Sequence, residues 1–295
     1  MTILSAVLFG VTPVLASMSY ELGSNAATLT FYRNLMVIPV LAIVMAVRKT
    51  DFRITKQQLG RIFLIGILGS GTTTVMLYAS YDYVGISTAT TLHFLYPVFV
   101  ALICRIFYKD HLGKPKVLAL IFASAGIALF LEPGEQMGMI GVILAVTSGL
   151  TYAFYMVGIE KFGLKSMDPF QFSFYLAISI VLEMLVYNIP TQDIVFDLSF
   201  RALLYTFIIA VCTSCFAVAL LQLGVKYLNA SSAAIFCLFE PITSSFCGVL
   251  LLHESLSIGK IVGSIVILVA AAILALCGNQ NPSQNSQKSV HSLNQ

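Results

Sequence analysis

Four ionisable side chains stand inside long apolar stretches of this 295-residue chain: Arg33, His93, Glu183 and Glu240. Such groups are costly in hydrocarbon, so they face protein or water and mark either function or internal pairing. Glu240 lies about ten residues from either end of its stretch, near the midplane of a bilayer at about 1.5 Å per residue. A carboxyl there can bind a proton or an amine. The alternative is a hydrogen-bonded structural carboxyl beside Pro241, where the missing amide frees a backbone carbonyl. His93 lies at similar depth, one turn before Pro97, with Thr90 and Tyr96 within three residues. It either titrates near neutral pH and meets a solute or stays a neutral hydrogen bonder between helices. Arg33 and Glu183 match in depth, each some way in from the same surface. They form an ion pair that holds or gates the outer mouth if their helices touch. Otherwise Glu183 is an interfacial carboxyl and Arg33 a structural residue too deep to snorkel easily. Tyr78, Tyr96, Tyr152 and Tyr155, with Gln222, are candidates for lining a cavity, because their polar tips need partners inside a bilayer.

The elements that must position these groups are membrane helices. Hydrophobic residues make up 58% of the chain, charged residues 10%, and the mean hydropathy is +0.93; a soluble domain is excluded. Apolar runs of spanning length, about 17 to 25 residues, fall at about 2–20, 26–47, 61–81, 84–108, 115–131, 138–159, 169–187, 202–225, 230–252 and 258–277. Ten spans leave no room for a soluble domain. Residues 279–295, rich in Asn, Gln and Ser, read as a disordered cytoplasmic tail. The first span has no basic segment before it and no cleavage signal, so it is retained as a helix. Thirteen of the sixteen Lys and Arg fall in the turns on the side of the N-terminus, against Arg201 and Lys260 opposite. Both termini are therefore expected in the cytoplasm, with the chain multi-pass in the cell membrane.

The chain also contains itself twice. Residues Tyr83–Leu131 lie over Tyr227–Ala275 without a gap, at an offset of 144. Pro97 falls on Pro241, Asp110 on Glu254 and Lys116 on Lys260. Each copy reads as small residues, an apolar helix with a central proline, an acidic turn and a further apolar helix. Five spans per copy is an odd number, so the repeats, 1–135 and 136–278, enter the membrane from opposite sides. The expected fold is an all-α membrane protein of about ten helices in two inverted five-helix repeats, with Pro97 and Pro241 as flex points.

The paired segments Leu95-Tyr96-Pro97 to Gly126 and Phe239-Glu240-Pro241 to Ala270 resemble the drug/metabolite transporter superfamily, and more closely its EamA-type ten-helix members. His253-Glu254-Ser255-Leu256-Ser257 is similar to the family's acidic turn before the last helix; Asp110-His111-Leu112 is a looser version of it. Arg33 matches the family's arginine in the second span, with Leu176 at the corresponding place in the second copy. The chain has no Trp; Phe9-Gly10 and Tyr152-Ala153 stand where many relatives carry one.

The resemblance implies a secondary carrier that moves small metabolites, amino acids or related compounds, outward by alternating access, with protons open as a coupling partner. The alternatives are an integral-membrane enzyme acting on lipid-linked substrates and a multidrug cation exporter. The interfacial carboxylates are scattered over different turns and form no ready catalytic set, so no enzyme activity is expected. Cys212 and Cys215 have a metal or redox spacing but no His or carboxylate nearby in sequence, and read as packing residues. No phosphate-binding loop occurs, and no cofactor, metal or nucleic acid is expected. The expected partners are a small solute and membrane lipids, with the chain a monomer or homodimer. Gly259 and Gly263 serve close packing inside the chain or at a homodimer face.

Overall fold

The computed structural model describes residues 1–129, 138–252 and 257–277. Ten helical spans follow one another: α1 Thr2–Tyr20, α2 Ala26–Val47, α3 Lys56–Tyr81, α4 Thr88–Tyr108, α5 Lys114–Ala128, α6 Met139–Lys161, α7 Pro169–Thr191, α8 Phe200–Leu228, α9 Ala230–Leu251 and α10 Ile258–Cys277. Local signals set several starts. Asn25 caps α2 by accepting from the Thr28 amide, and Thr55 and Gln58 form a capping box on α3. Asp168 accepts two amides at the head of α7, where Pro169 occupies a position that needs no donor. Among the described residues there is no strand. Among the described residues, nine helices are long and apolar enough to cross a membrane. The span expected at 115–131 is 15 residues long as α5, and the rest of it lies outside the described residues. The protein is an all-α, multi-pass membrane protein.

The offset of 144 recurs in the backbone. A π-turn interrupts α3 at Gly66–Gly71 and α8 at Ala210–Ala217. The chain enters α4 through Gly85 at φ 72°, ψ 162° and enters α9 through Asn229 at φ 67°, ψ 163°. That region suits glycine, and holding another residue in it costs about 1–3 kcal/mol. Each of these two helices then breaks, at Phe94–Leu95 and at Cys237–Leu238, and resumes with a proline in the first turn of its second half.

Packing follows the same exchange. Helices α3 and α4 pack on α6, as α8 and α9 pack on α1; α2 meets α7, and α5 meets α10. At Gly126 and Gly259 the α5 and α10 backbones close onto one another, so this small-residue stripe is used inside the chain. The core, which includes Tyr96, Tyr155, Phe172, Ile235 and Leu238, sits where α4, α6, α7 and α9 converge.

One end of the bundle is tied together by polar contacts. Lys161 Nζ lies 2.6 Å from Asp110 Oδ2 and 3.3 Å from Glu160 Oε1. Glu160 Oε2 accepts from the Ala230 amide at 2.6 Å, and Lys116 Nζ donates to Asn229 Oδ1 at 3.2 Å. Arg61 donates to the Phe162 carbonyl at the same end. These contacts join the ends of α4 and α6, and the starts of α5 and α9, across both halves of the chain.

Candidate functional site

A cavity of about 660 Å³ lies between the helices, and every helix except α5 contributes to its wall among the described residues. This is within the usual range for small-molecule sites. The wall includes Ser17, Tyr81, Ser257 and Lys260, residues at the end away from the polar contacts just described. No residue of that polar network lines it.

Glu240 lines the cavity in the first turn after the α9 break, followed by Pro241. The exposed amides of a helix start favour negative charge there. Gly10 brings α1 against this turn: a Cβ at position 10 would stand 2.6 Å from Thr243 Cβ and 2.7 Å from the Glu240 carbonyl oxygen. Helix α1 can approach the break only with no side chain at that point.

His93 ends the first half of α4 and also lines the cavity. Its Nδ1 is 2.9 Å from Ser148 Oγ, whose own hydroxyl donates to the Ala145 carbonyl at 2.6 Å. Ser148 has one proton to give, so Nδ1 carries the ring proton and Nε2 is left as acceptor. The ring sits 5.4 Å from Tyr152 and 5.5 Å from Tyr96, and Tyr152 in turn is 4.8 Å from Tyr96 and 5.7 Å from Tyr155. Tyr78, Thr90, Tyr152 and Tyr155 all reach the cavity wall. Tyr96 is fully buried behind it. Gln222, also fully buried, donates through Nε2 to the carbonyls of Leu164 at 2.7 Å and Met167 at 3.3 Å. It fastens the turn between α6 and α7 and does not line the cavity.

Arg33 lines the cavity and donates through Nη2 to Thr74 Oγ1 at 3.1 Å, while its buried Nε has no partner. Its expected pairing with Glu183 is corrected by the structure. Helices α2 and α7 do touch, yet Arg33 turns toward α3 in the cavity and Glu183 turns toward the π-turn of α3, beside Gly71 and Thr72. No ion pair joins the two. The acidic turn at 253–256 and the tail at 279–295 lie outside the described residues.

Sequence reasoning missed the hydroxyl character of the wall, which includes Ser70, Thr73, Thr74, Ser214, Ser244 and Ser245. The signal was the density of Ser and Thr in apolar helices, at 72–74 and 243–245. It missed Lys260 as a cavity residue, having read it only as a charge outside. Phe9 and Tyr152, which stand in for tryptophan, both line the cavity. Among the described residues no group of three His, Cys, Asp or Glu is placed to hold a metal.

The sequence pattern of the EamA-like transporter family matches residues 1–131 and again residues 139–276. The chain belongs to the EamA-like transporter family. It is 28% identical to an uncharacterized transporter of Archaeoglobus fulgidus over 230 residues, 75% of this chain and 79% of that one. A second uncharacterized transporter of the same organism is 24% identical over 272 residues, 92% and 93% of the two chains. Mouse solute carrier family 35 member G1 is 28% identical over 190 residues. Those residues are 60% of this chain and half of the mouse protein. A crystal structure of another protein superposes with a TM-score of 0.75 at 14% identity, covering 93% of this chain and 95% of that one, which shows the shared fold. The family and its relatives are transporters, so this EamA-like protein is a membrane transporter and not an enzyme.

Proposed function

We propose that this EamA-like transporter is a secondary carrier that exports small metabolites, amino acids or related compounds, by alternating access between two inverted five-helix repeats, 1–135 and 136–278. The observation that carries the reading is the cavity at the two helix breaks, with Glu240 in its wall and a polar network tying one end of the bundle. A zwitterionic solute suits this wall: its ammonium meets Glu240, and its carboxylate meets the guanidinium of Arg33. His93, Thr90, Tyr78, Tyr152 and Tyr155 complete the solute site, with Tyr96 and Gln222 holding it from behind. The breaks before Pro97 and Pro241 are the flex points, since discontinuous helices at the midplane supply both ligands and hinges in such carriers. The recurrence of the π-turns and positive-φ entries at an offset of 144, with the breaks one residue closer at 143, supports two copies able to exchange conformations. With both termini in the cytoplasm, the network seals the cytoplasmic end, and the cavity opens outward in this conformation.

The test is counterflow of labelled amino acids, nucleosides and polyamines in liposomes holding the purified protein, with Glu240→Gln beside it. Saturable exchange of one class is expected. Glu240→Gln abolishes uphill flux and leaves exchange if protons pass through Glu240. If the variant retains both, Glu240 has no coupling role. Exchange confined to lipophilic cations, which the carboxylate and the tyrosine wall also suit, would assign the multidrug reading instead.

A further inference from the structure

Glu183 is a carboxyl that the transport site leaves unused. It lies eight residues before the end of α7, half-buried, and is not part of the cavity wall. Its carboxyl fills the notch where the π-turn of α3 ends: a Cβ on Gly71 would overlap Oε2. Oε2 is buried and has no hydrogen-bond partner. Oε1 lies 3.3 Å from Thr72 Oγ1, but that hydroxyl donates to the Ile67 carbonyl at 2.7 Å and has a single proton. The Thr72 proton thus sits on the shorter contact to Ile67, the 3.3 Å contact to Oε1 is the weaker alternative, and Oε2 has no donor at all. Among the described residues no ion pair reaches it either. On α2, Arg33 is bonded to Thr74, and Tyr32 is the other titratable group. Helix α3 carries Lys56 and Arg61 near its start and Tyr78 and Tyr81 beyond the notch; α7 itself offers Tyr175 and Tyr187 and no cation. Helix α8 has Arg201 and Tyr205 near its start, Cys212 and Cys215 in its π-turn, and Lys226 and Tyr227 at its end. A half-buried carboxylate with no cation and no donor on Oε2 is expensive; the neutral acid costs less, because a proton on Oε1 has the Thr72 hydroxyl oxygen as acceptor.

The repeat shows that the fold does not require this group. Aligning α7 on α2 with Pro169 over Ala26 puts Val40 at the place of Glu183, and the offset of 144 puts Cys215 at the place of Gly71. Cys215 is buried in an apolar cluster with Val37 and Leu41 of α2, Ala177 and Ala210, and Val40 is partly buried outside that cluster. One copy packs an apolar surface against its π-turn, and the other packs a carboxyl against it. The carboxyl is thus an addition to the packing scheme.

We infer that Glu183 is a proton-binding site separate from the central cavity, occupied in this conformation and emptied when α3 and α7 part at the π-turn and water reaches Oε2. The inference adds a second proton to the proposed transport cycle and rests on that reading for this consequence alone. Proton occupancy itself is measured without any solute.

The experiment is infrared spectroscopy of the full chain in lipid vesicles at neutral pH, following the carbonyl stretch of un-ionised carboxylic acids and its shift in D₂O. Glu240→Gln serves as the parent, removing the cavity carboxyl. One acid band is expected to remain in this parent and to be lost when Glu183→Gln is added. Gln keeps the shape and neutrality of the acid, so thermal unfolding of the double variant is expected to match the parent. In the same parent, Gly71→Ala drives a methyl into the place of Oε2 and is expected to shift or remove the band. Absence of an acid band in the parent, or a band that survives Glu183→Gln, overturns the inference. Failure of every solute in the counterflow assay would leave this result standing and count against the carrier reading instead.

Discussion

Replacing Lys161 with Met tests whether the polar network holds one end of the bundle shut. Lys161 serves two carboxylates, and the three side chains are 17%, 37% and 10% exposed for Lys161, Asp110 and Glu160. Exposed ion pairs contribute about 0.2–1 kcal/mol, and hydrogen bonds to charged groups about 1.5–3 kcal/mol. This triad lies between those limits, and its removal also leaves Asp110 and Glu160 repelling one another. A loss of about 2 kcal/mol from the closed end follows, a shift of roughly thirtyfold in the ratio of open to closed forms at about 1.4 kcal/mol per tenfold. The chain supplies its own reporter: Cys104 is buried beside the triad, and its carbonyl accepts from the Asp110 amide at 3.0 Å. In a chain whose other cysteines are replaced, alkylation of Cys104 by a membrane-impermeant maleimide applied to that face reads the open population. Lys161→Met is expected to raise the rate by at least tenfold. Lys56→Met, which removes an equal charge from an exposed position, is expected to leave it unchanged. Equal rates in the two variants would refute a gating role for the network.

Substitutions at three further positions separate holding from binding. Gly10→Ala forces α1 away from the Glu240 turn, and overpacking of this kind costs about 1–3 kcal/mol; a lower thermal midpoint together with slower counterflow is expected. Gln222→Leu removes the two bonds to the α6–α7 turn and is expected to lower stability by about 1–2 kcal/mol with the order of solute preference unchanged in competition assays. Asn229→Ala deletes a helix cap worth about 0.5–2 kcal/mol and leaves a side chain in a region that glycine prefers, whereas Asn229→Gly relieves that strain. Unfolding measurements are expected to rank Ala below Gly.

Much of the architecture was legible because membrane helices announce themselves by length and apolarity, and because the offset of 144 lines up Pro97 with Pro241. The prolines pointed to the helix breaks, and the isolated charges pointed to Arg33, His93 and Glu240, all now in one cavity wall. Pairing was less legible. Depth along a helix can be counted from the sequence, but the partner a side chain takes depends on how the helices are rotated against one another, and here α3 supplies a partner to each: Thr74 to Arg33 and Thr72 to Glu183. Arg33 and Glu183 therefore match in depth and still miss one another. Gln222 and Tyr96 were read as wall residues because a polar tip in a membrane needs a partner; backbone carbonyls of the α6–α7 turn met that need for Gln222. The other hydroxyls of the wall went unnoticed, since any one Ser or Thr can satisfy itself on its own helix, as Thr74 does on the Ser70 carbonyl.

Each π-turn also acts as a spacer in the angular sense. An α-helix advances about 100° per residue, and a π-turn holds one residue more than the α-helical turn it replaces. Were Gly66–Gly71 to wind as regular α-helix with no residue removed, everything beyond would swing by about 100°, carrying Tyr78 and Tyr81 off the cavity wall. The inner surface of this transporter is therefore specified partly by length. A single-residue deletion in either π-turn, which an ordinary α-turn absorbs, should therefore be better tolerated than a single-residue insertion, which turns the helix beyond it out of phase.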